Sequence, residues 1–453
     1  MNNNIFREYD IRGVVKDDLD RETVNLIGKS FGTYMIRNGL DSVGVSGDVR
    51  ETTPRLITDL VEGLLSTGVS VVKLGQLPTP ANYFSLYHLD IDSSIQVTGS
   101  HNPPAFNGFK ISIKDGVFYG KKIKELKEII LKNDFSLGEG SVDSIDILND
   151  YVDMVTGKFD FITKKSVCFD SANAAGCLVF PKLSLKIGGS SHELYCDVDP
   201  SFPNHHPDPT KDENLEDIIS FVKEKSLDMG IAFDGDADRI VAIDELGRII
   251  RSDILMAIFV KSLSGKISKG SPIVYDVKCS NALKETIEQS GFKPVMWKTG
   301  HSLIKEKMKS VGAVFGGEMS GHLFFADSYY GYDDAIYASL RLIELLDSSD
   351  KKLSELFDEI PNYHSTPEIR SKCNDDTKFD IVDKCAKYFS DKYDCDTIDG
   401  IRINFEHGWG LVRASNTEPV IVSRFEAKSK ELLSSYKSLV SDKINFFSHE
   451  YAE

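Results

Sequence analysis

Three times along this chain a short β-rich apolar run ends in an aspartate and passes into small and polar residues. The runs are "SVGVSGDVRETTP" around Asp48, "SVCFDSANAAG" around Asp170 and "PIVYDVKCSNAL" around Asp276. Each reads as a strand feeding a loop and then a helix. They lie a little over a hundred residues apart, which points to three related α/β units. Helical patterns run between them. In "TPRLITDLVEGLLSTG" Thr53 takes the N-cap, Pro54 the first helical position and Gly68 the place just past the end. Such strand–helix alternation predicts mainly parallel or mixed sheets covered by helices, with ligands at the carboxyl ends of strands.

At 453 residues the chain has room for about three average domains, or more if they are small. Apolar periodicity lapses in "FSLGEGSVDSIDILNDYV", a new helix follows "RIVAIDELGRIIRSDIL", and Pro361 interrupts "DEIPNYHSTPEIR". The expected units are 1–146, 147–248, 249–360 and 361–453. With 41% hydrophobic and 27% charged residues the chain has the composition of a soluble globular protein. Its longest apolar run, "ILMAIFV", is far too short to cross a bilayer, and "MNNNIFREYDIRG" lacks the pattern of a secretory signal. A cytoplasmic protein is expected.

Seven cysteines, none in a C-x-x-C pair, argue against a disulfide framework and a structural zinc site. The net charge of −17 opposes binding to nucleic acid or an anionic membrane surface. A small anionic ligand remains open, provided that positive charge or backbone N–H groups gather locally.

Four stretches could carry chemistry. In "VTGSHNPPAFNGFK", Pro103 and Pro104 fix φ and Gly99 permits a tight approach, so Ser100 is expected to be held exposed, with His101 and Lys110 near it. That serine is either a nucleophile or phosphoryl carrier, or part of an ordinary turn. In "MGIAFDGDADRIVAIDELGRII", Asp234, Asp236 and Asp238 crowd a loop after an apolar run, and their repulsion calls for a cation; hard oxygen ligands suit Mg²⁺. The alternatives are a solvated acidic turn or an EF-hand. An EF-hand needs glycine where Arg239 stands and a helix after Glu245, where a strand pattern runs instead.

"FGGEMSGHLFF" puts Glu318, Ser320 and His322 on one glycine-rich loop, suited either to sugar hydroxyls or to a plain turn with a surface glutamate. "LVRASNTEPVIVSRFEA" gathers Arg413, Ser415, Asn416 and Thr417 between two strand-like runs, as a phosphate site would, with Arg424 adding charge; a polar hairpin turn is the competing reading. Asp170-Ser171-Ala172 echoes the nucleophile motif of alkaline phosphatase, but no matching histidine pattern accompanies it, and Asp170 is read as a turn residue.

Taken together, "FREYDIRG", "TGSHNPPAFNGFK", "DGDADR", "YDVKCS", "VMWKTGHS", "GEMSGH" and "RASNTEP", in that order over nearly the whole chain, resemble the α-D-phosphohexomutase superfamily and its bacterial phosphomannomutase/phosphoglucomutase group. The resemblance implies three related α/β domains with mixed sheets and a C-terminal α+β domain resembling the TATA-box-binding-protein fold, around a central cleft, with the fourth domain hinging to close it. It implies that Ser100 is the phosphoserine and that Asp234, Asp236 and Asp238 with its phosphate bind one Mg²⁺. Tyr9, Arg12, His101, Lys110, Arg239, Lys278, His301 and His322 would line the cleft. Lys110, His322 and Arg12 would transfer protons or stabilise charge. Glu318 and Ser320 would contact sugar hydroxyls, and Arg413, Ser415, Asn416 and Thr417 the non-reacting phosphate.

The implied reaction is reversible phosphoryl transfer between the 1- and 6-positions of mannose and glucose phosphates, with hexose 1,6-bisphosphate as intermediate and activator and the enzyme a monomer. Phosphoglucosamine mutases are expected to carry glutamine where Met319 stands, which makes that activity the nearest alternative; a serine-dependent sugar phosphatase is another. One departure is Ala237, where the commonest metal loop has glycine. Alanine fits a negative φ there, and a positive φ would disturb the metal geometry.

Overall fold

The computed structural model describes residues 1–114, 116–160, 163–415 and 419–450. The chain divides into two compact units, the first made of Met1–Ser252 and Ser320–Leu356, the second of Asp253–Met319 and Phe357–Glu453. Among the described residues no helix is long and apolar enough to cross a membrane.

Unit 1 opens with a sheet built from β1 (Ile11–Val14), β2 (Ser42–Gly47), β3 (Ser70–Gln76), β4 (Ser93–Val97), β5 (Phe106–Ile113) and β6 (Val142–Ser144), in the order β1-β5-β4-β2-β3-β6. The strand β2 pairs parallel with β3 and β4, and β4 pairs antiparallel with β5. The second sheet, from β7 (Ser166–Asp170), β8 (Ser190–Leu194), β9 (Met229–Phe233), β10 (Ile240–Asp244) and β11 (Ile249–Ile250), repeats the plan. There β7 pairs parallel with β8 and β9, and β9 antiparallel with β10.

In unit 2, β12 (Pro272–Asp276) pairs parallel with β13 (Lys293–Trp297) and β14 (Phe315–Gly317). The chain then re-enters unit 1 at Ser320 and forms β15 (Leu323–Phe325). The C-terminal sheet of unit 2 comprises β16 (His364–Ser365), β17 (Ile369–Lys372), β18 (Asp394–Asp396), β19 (Ile401–Phe405), β20 (Gly408–Ala414) and β21 (Val420–Ala427), paired antiparallel throughout. Its core, from Ile401 and Phe425 to Val440, is closed by the helices Lys378–Ser390 and Lys430–His449. Three α/β sheets, the first two of mixed direction, and one α+β domain thus follow one another along the chain.

The three expected strands are β2, β7 and β12, each central in its sheet. Each following aspartate makes the same local turn. The Oδ1 of Asp48, Asp170 and Asp276 accepts the N–H two residues on, at 3.0, 3.0 and 3.2 Å, an Asx turn that ends the strand. The helix after Asp48 runs Thr53–Leu65 with Pro54 in its first turn. Its N-cap position falls on Thr52 rather than Thr53, because the Thr53 hydroxyl is drawn to Asp48 Oδ1 at 2.7 Å. It lies against the helix Arg21–Arg37 at glycines: a Cβ on Gly28 would stand 2.3 Å from the Leu60 carbonyl oxygen. Around this contact Ile27, Phe31, Leu60 and Leu64 are fully buried.

The plan also explains where the motifs lie. In each repeat the loop after the third strand carries one of them: the Ser100 loop follows β4, the carboxylate loop follows β9, and the Glu318 loop follows β14.

Candidate active site

Unit 1 brings two of these loops together. Ser100 donates its hydroxyl to Asp234 Oδ2 at 2.8 Å, and His101 Nδ1 lies 3.2 Å from the same Oγ. Contrary to the exposed position expected, Ser100 is 1% exposed, because the carboxylate loop packs directly on it. A Cβ on Gly235 would stand 2.3 Å from the Ser100 carbonyl oxygen, so only glycine allows this approach.

The carboxylates of Asp234, Asp236 and Asp238 are all fully buried and offer ligand atoms within 4.8 Å of one another. At that spacing each pair repels by about 3 kcal/mol at an effective dielectric of about 20. Lys110 offsets part of this, donating to Asp236 Oδ2 at 2.7 Å and Asp238 Oδ2 at 2.5 Å. Burial alone would lower the Lys110 pKa, but Asp236, Asp238 and Asp234 hold it up, so the ammonium stays charged.

Burial, together with Asp238 and Asp236, pushes Asp234 well above the usual carboxylate range. Burial acts the same way on Asp238, yet Lys110 and His322 hold it well below that range. Asp236 Oδ1, buried in the cluster, accepts no hydrogen bond among the described residues. One ammonium among three carboxylates leaves negative charge and open oxygen lone pairs, the donor set that a hard divalent cation takes.

Around the cluster, His322 Nε2 lies 3.2 Å from Asp238 Oδ1 and 3.3 Å from Arg239 Nε, while Ser320 Oγ lies 3.2 Å from His322 Nδ1. Arg12, on β1, donates to Asn102 Oδ1 at 2.5 Å and pairs with Asp10. Burial first, then Arg239, Arg12 and Lys110, lowers the His101 pKa far below its ordinary value, so this ring is neutral. Tyr9 is half-buried just ahead of β1.

Unit 2 holds a separate set. Lys278 Nζ donates to Glu368 Oε1 at 2.9 Å and lies 3.7 Å from Asp276 Oδ2. His301 starts the helix His301–Val311, and Glu318 Oε1 accepts from the Gly300 N–H at 2.6 Å. Arg413, at the end of β20, donates to Asp399 Oδ2 at 2.9 Å, and the Thr299 N–H donates to the same oxygen at 3.2 Å. Asp399 thus draws the Arg413 loop and the His301 loop together. Ser415 closes the hairpin, its N–H donating to the Val420 carbonyl at 3.0 Å. Asn416 and Thr417 lie outside the described residues. Arg424 does not supply free charge there: it is 4% exposed, bonds the Lys278 carbonyl and sits over Trp409.

Some contributors have no local signature. Thr79 donates its hydroxyl to Asp236 Oδ2 at 2.5 Å, and His206 Nε2 lies 2.5 Å from the His101 carbonyl. Asp170, besides its turn, holds His205 Nε2 at 2.9 Å. For Glu368 and Asp399 the charge opposite Lys278 and Arg413 is visible only once the chain is folded.

Family models of phosphoglucomutase/phosphomannomutase match the chain in four parts: alpha/beta/alpha domain I over residues 3–137, domain II over 149–247, domain III over 251–363 and the C-terminal domain over 368–443. A phosphomannomutase/phosphoglucomutase of Pseudomonas aeruginosa is 42% identical over 441 residues, 97% of this chain and 95% of that one. A phosphoglucomutase of Neisseria gonorrhoeae is 37% identical, covering 94% and 93%. The crystal structure of a phosphoglucomutase/phosphomannomutase family protein from Burkholderia thailandensis superposes with a TM-score of 0.93 at 37% identity, over 99% and 98% of the two chains. The chain belongs to the phosphoglucomutase/phosphomannomutase family.

Proposed function

We infer that this protein is a hexose-phosphate mutase that moves a phosphoryl group reversibly between the 1- and 6-positions of mannose and glucose phosphates, with Ser100 as the carrier. The observation that supports it most is the Ser100 hydroxyl donating to Asp234 inside a buried carboxylate cluster that also holds Lys110. Such an arrangement fits a group that must be held still and carry a phosphate in a charged, water-poor place.

The forward step breaks the Ser100 Oγ–P bond and forms a P–O bond to the free sugar hydroxyl, giving the 1,6-bisphosphate; the sugar's proton leaves to a nearby base. The bisphosphate, presented the other way round, returns its second phosphate to Ser100. Mg²⁺ held by Asp234, Asp236, Asp238 and the Ser100 phosphate would neutralise charge on the transferring group. Lys110, Arg12 and Arg239 add fixed positive charge, His101 contributes as a neutral ring, and His322 stands where Nε2 can take or give a proton. Tyr9, Lys278, His301, Glu318 and Ser320 are assigned to the sugar and its reacting end, and Arg413, Ser415, Asn416 and Thr417 to the other phosphate.

The domains run 1–146, 147–248, 249–360 and 361–453 in this reading, and the enzyme works as a cytoplasmic monomer on a small-molecule substrate, with hexose 1,6-bisphosphate as activator. Mannose and glucose are favoured over glucosamine because Met319 replaces the glutamine expected of phosphoglucosamine mutases. Incubation with radiolabelled glucose 1,6-bisphosphate tests the carrier. Label is expected on Ser100 and absent from Ser100→Ala; label on another residue would contradict the assignment, and release of inorganic phosphate without isomer would indicate a phosphatase.

A further inference from the structure

Ser100 has a φ of 47°, a left-handed conformation that a serine does not adopt without support. Both of its backbone polar groups are tied. Its N–H donates to Thr98 Oγ1 at 2.8 Å, and its carbonyl accepts from Arg50 Nη2 at 2.8 Å. The same Nη2 donates to the Asn102 carbonyl at 2.6 Å, Nη1 donates to the carbonyls of Pro103 at 2.8 Å and Phe106 at 3.1 Å, and Nε donates to Asp48 Oδ2 at 3.1 Å. All five N–H groups of the guanidinium are thereby used, four of them on the loop that carries Ser100.

Asp48 completes the hub. Its Oδ2 also accepts from Thr98 Oγ1 at 2.8 Å and the Gly99 N–H at 3.1 Å, so Thr98 links Asp48 directly to the Ser100 N–H. The hub is sealed: Arg50 is 2% and Asp48 1% exposed, and the guanidinium lies 5.4 Å from the centre of the Phe202 ring. A Cβ on Gly99 would stand 2.5 Å from Arg50 Cζ, which shows how closely the loop is wrapped around the cation.

We propose that Arg50, anchored by Asp48, is the positioning residue that holds Ser100 in its left-handed conformation and aims its Oγ at the carboxylate cluster. Arg50 touches neither the serine hydroxyl nor the carboxylates that would hold a metal; it acts through the backbone. A lysine keeps the charge but cannot reproduce five donors in a planar fork. In-line transfer is sensitive to small displacements, a misplacement of about 1 Å costing about a hundredfold in rate. The proposal rests on the reading of Ser100 as the phosphoryl carrier.

The test compares Arg50→Lys, Thr98→Val, Thr98→Ser and Ser100→Ala in the full chain, with glucose 1-phosphate, Mg²⁺ and glucose 1,6-bisphosphate, reading kcat, KM and inorganic phosphate released per turnover. Arg50→Lys and Thr98→Val are expected to lose kcat by about a hundredfold, with KM within about twofold and a larger share of phosphate lost to water. Thr98→Ser, which keeps the hydroxyl, is expected to restore kcat. If Arg50→Lys does not fold, Thr98→Val carries the same test. Retained kcat in Thr98→Val or a folded Arg50→Lys, or a loss in kcat/KM expressed wholly in KM, would overturn the positioning role while Ser100→Ala remains inactive. Turnover by Ser100→Ala would instead overturn the carrier reading, and this inference with it.

Discussion

Ala237 sits in the carboxylate loop at a φ of 58° and is fully buried. The sequence had tied a sound metal loop to a negative φ there, yet the three carboxylates converge with the positive one. The left-handed backbone costs alanine about 1–2 kcal/mol, part of which glycine would give back through its larger loss of freedom on folding. Ala237→Gly is expected to stabilise the protein by about 0.5–1 kcal/mol, read by urea denaturation. Lys110 makes a sharper test. Lys110→Met leaves three buried carboxylates without their ammonium, and a loss of about 3–5 kcal/mol is expected without divalent metal. Because metal can replace that charge, Mg²⁺ is expected to raise the melting temperature of this variant more than that of the native chain. An equal rise in both would show that Lys110 and the metal do not share the carboxylates.

The loops and strands show which parts of this structure are local. Asp48, Asp170 and Asp276 were legible as strand ends because the Asx turn is made within three residues. The motif loops that follow β4, β9 and β14 were legible for a similar reason, each being short, glycine-bearing and flanked by apolar runs. Most of what the sequence missed is made by partners far along the chain: Thr79 reaches Asp236, and Glu368 reaches Lys278. The shift of the N-cap position to Thr52 is local, set by the pull of Asp48 on the Thr53 hydroxyl. The burial of Ser100 was hidden too, since it depends on Gly235 from another sheet. That contact gives a direct expectation. Gly235→Ala should force the two loops apart and lower kcat by about a hundredfold, whereas Gly116→Ala, whose added Cβ would meet its nearest neighbour, Ile113 Cδ1, at an ordinary 3.5 Å, should leave the rate unchanged. Comparable kcat values for Gly235→Ala and the native chain would show that the loop contact is not needed.

Across the whole molecule, a net charge of −17 coexists with buried cations at the sites proposed for phosphate chemistry, Arg50 and Lys110 in unit 1 and Lys278 and Arg413 in unit 2. Pairing with Lys278 brings Glu368 down to about 2, against the opposing effect of burial. A depressed folded-state pKa stabilises above the unfolded value of 4.5, and that stability is lost as the pH falls through about 2. Glu368→Gln is therefore expected to be less stable than the native chain at pH 6, with the difference shrinking below about pH 4.5. A difference that is constant from pH 6 to about pH 2 would contradict the pairing.

The central claim is the mutase activity itself, and initial rates on mannose 1-phosphate, glucose 1-phosphate and glucosamine 1-phosphate, with Mg²⁺ and a trace of glucose 1,6-bisphosphate, test it most directly. Conversion of the first two to their 6-phosphates at comparable rates, with glucosamine 1-phosphate much slower, is the expected result. Turnover of glucosamine 1-phosphate alone, or inorganic phosphate as the only product, would contradict it.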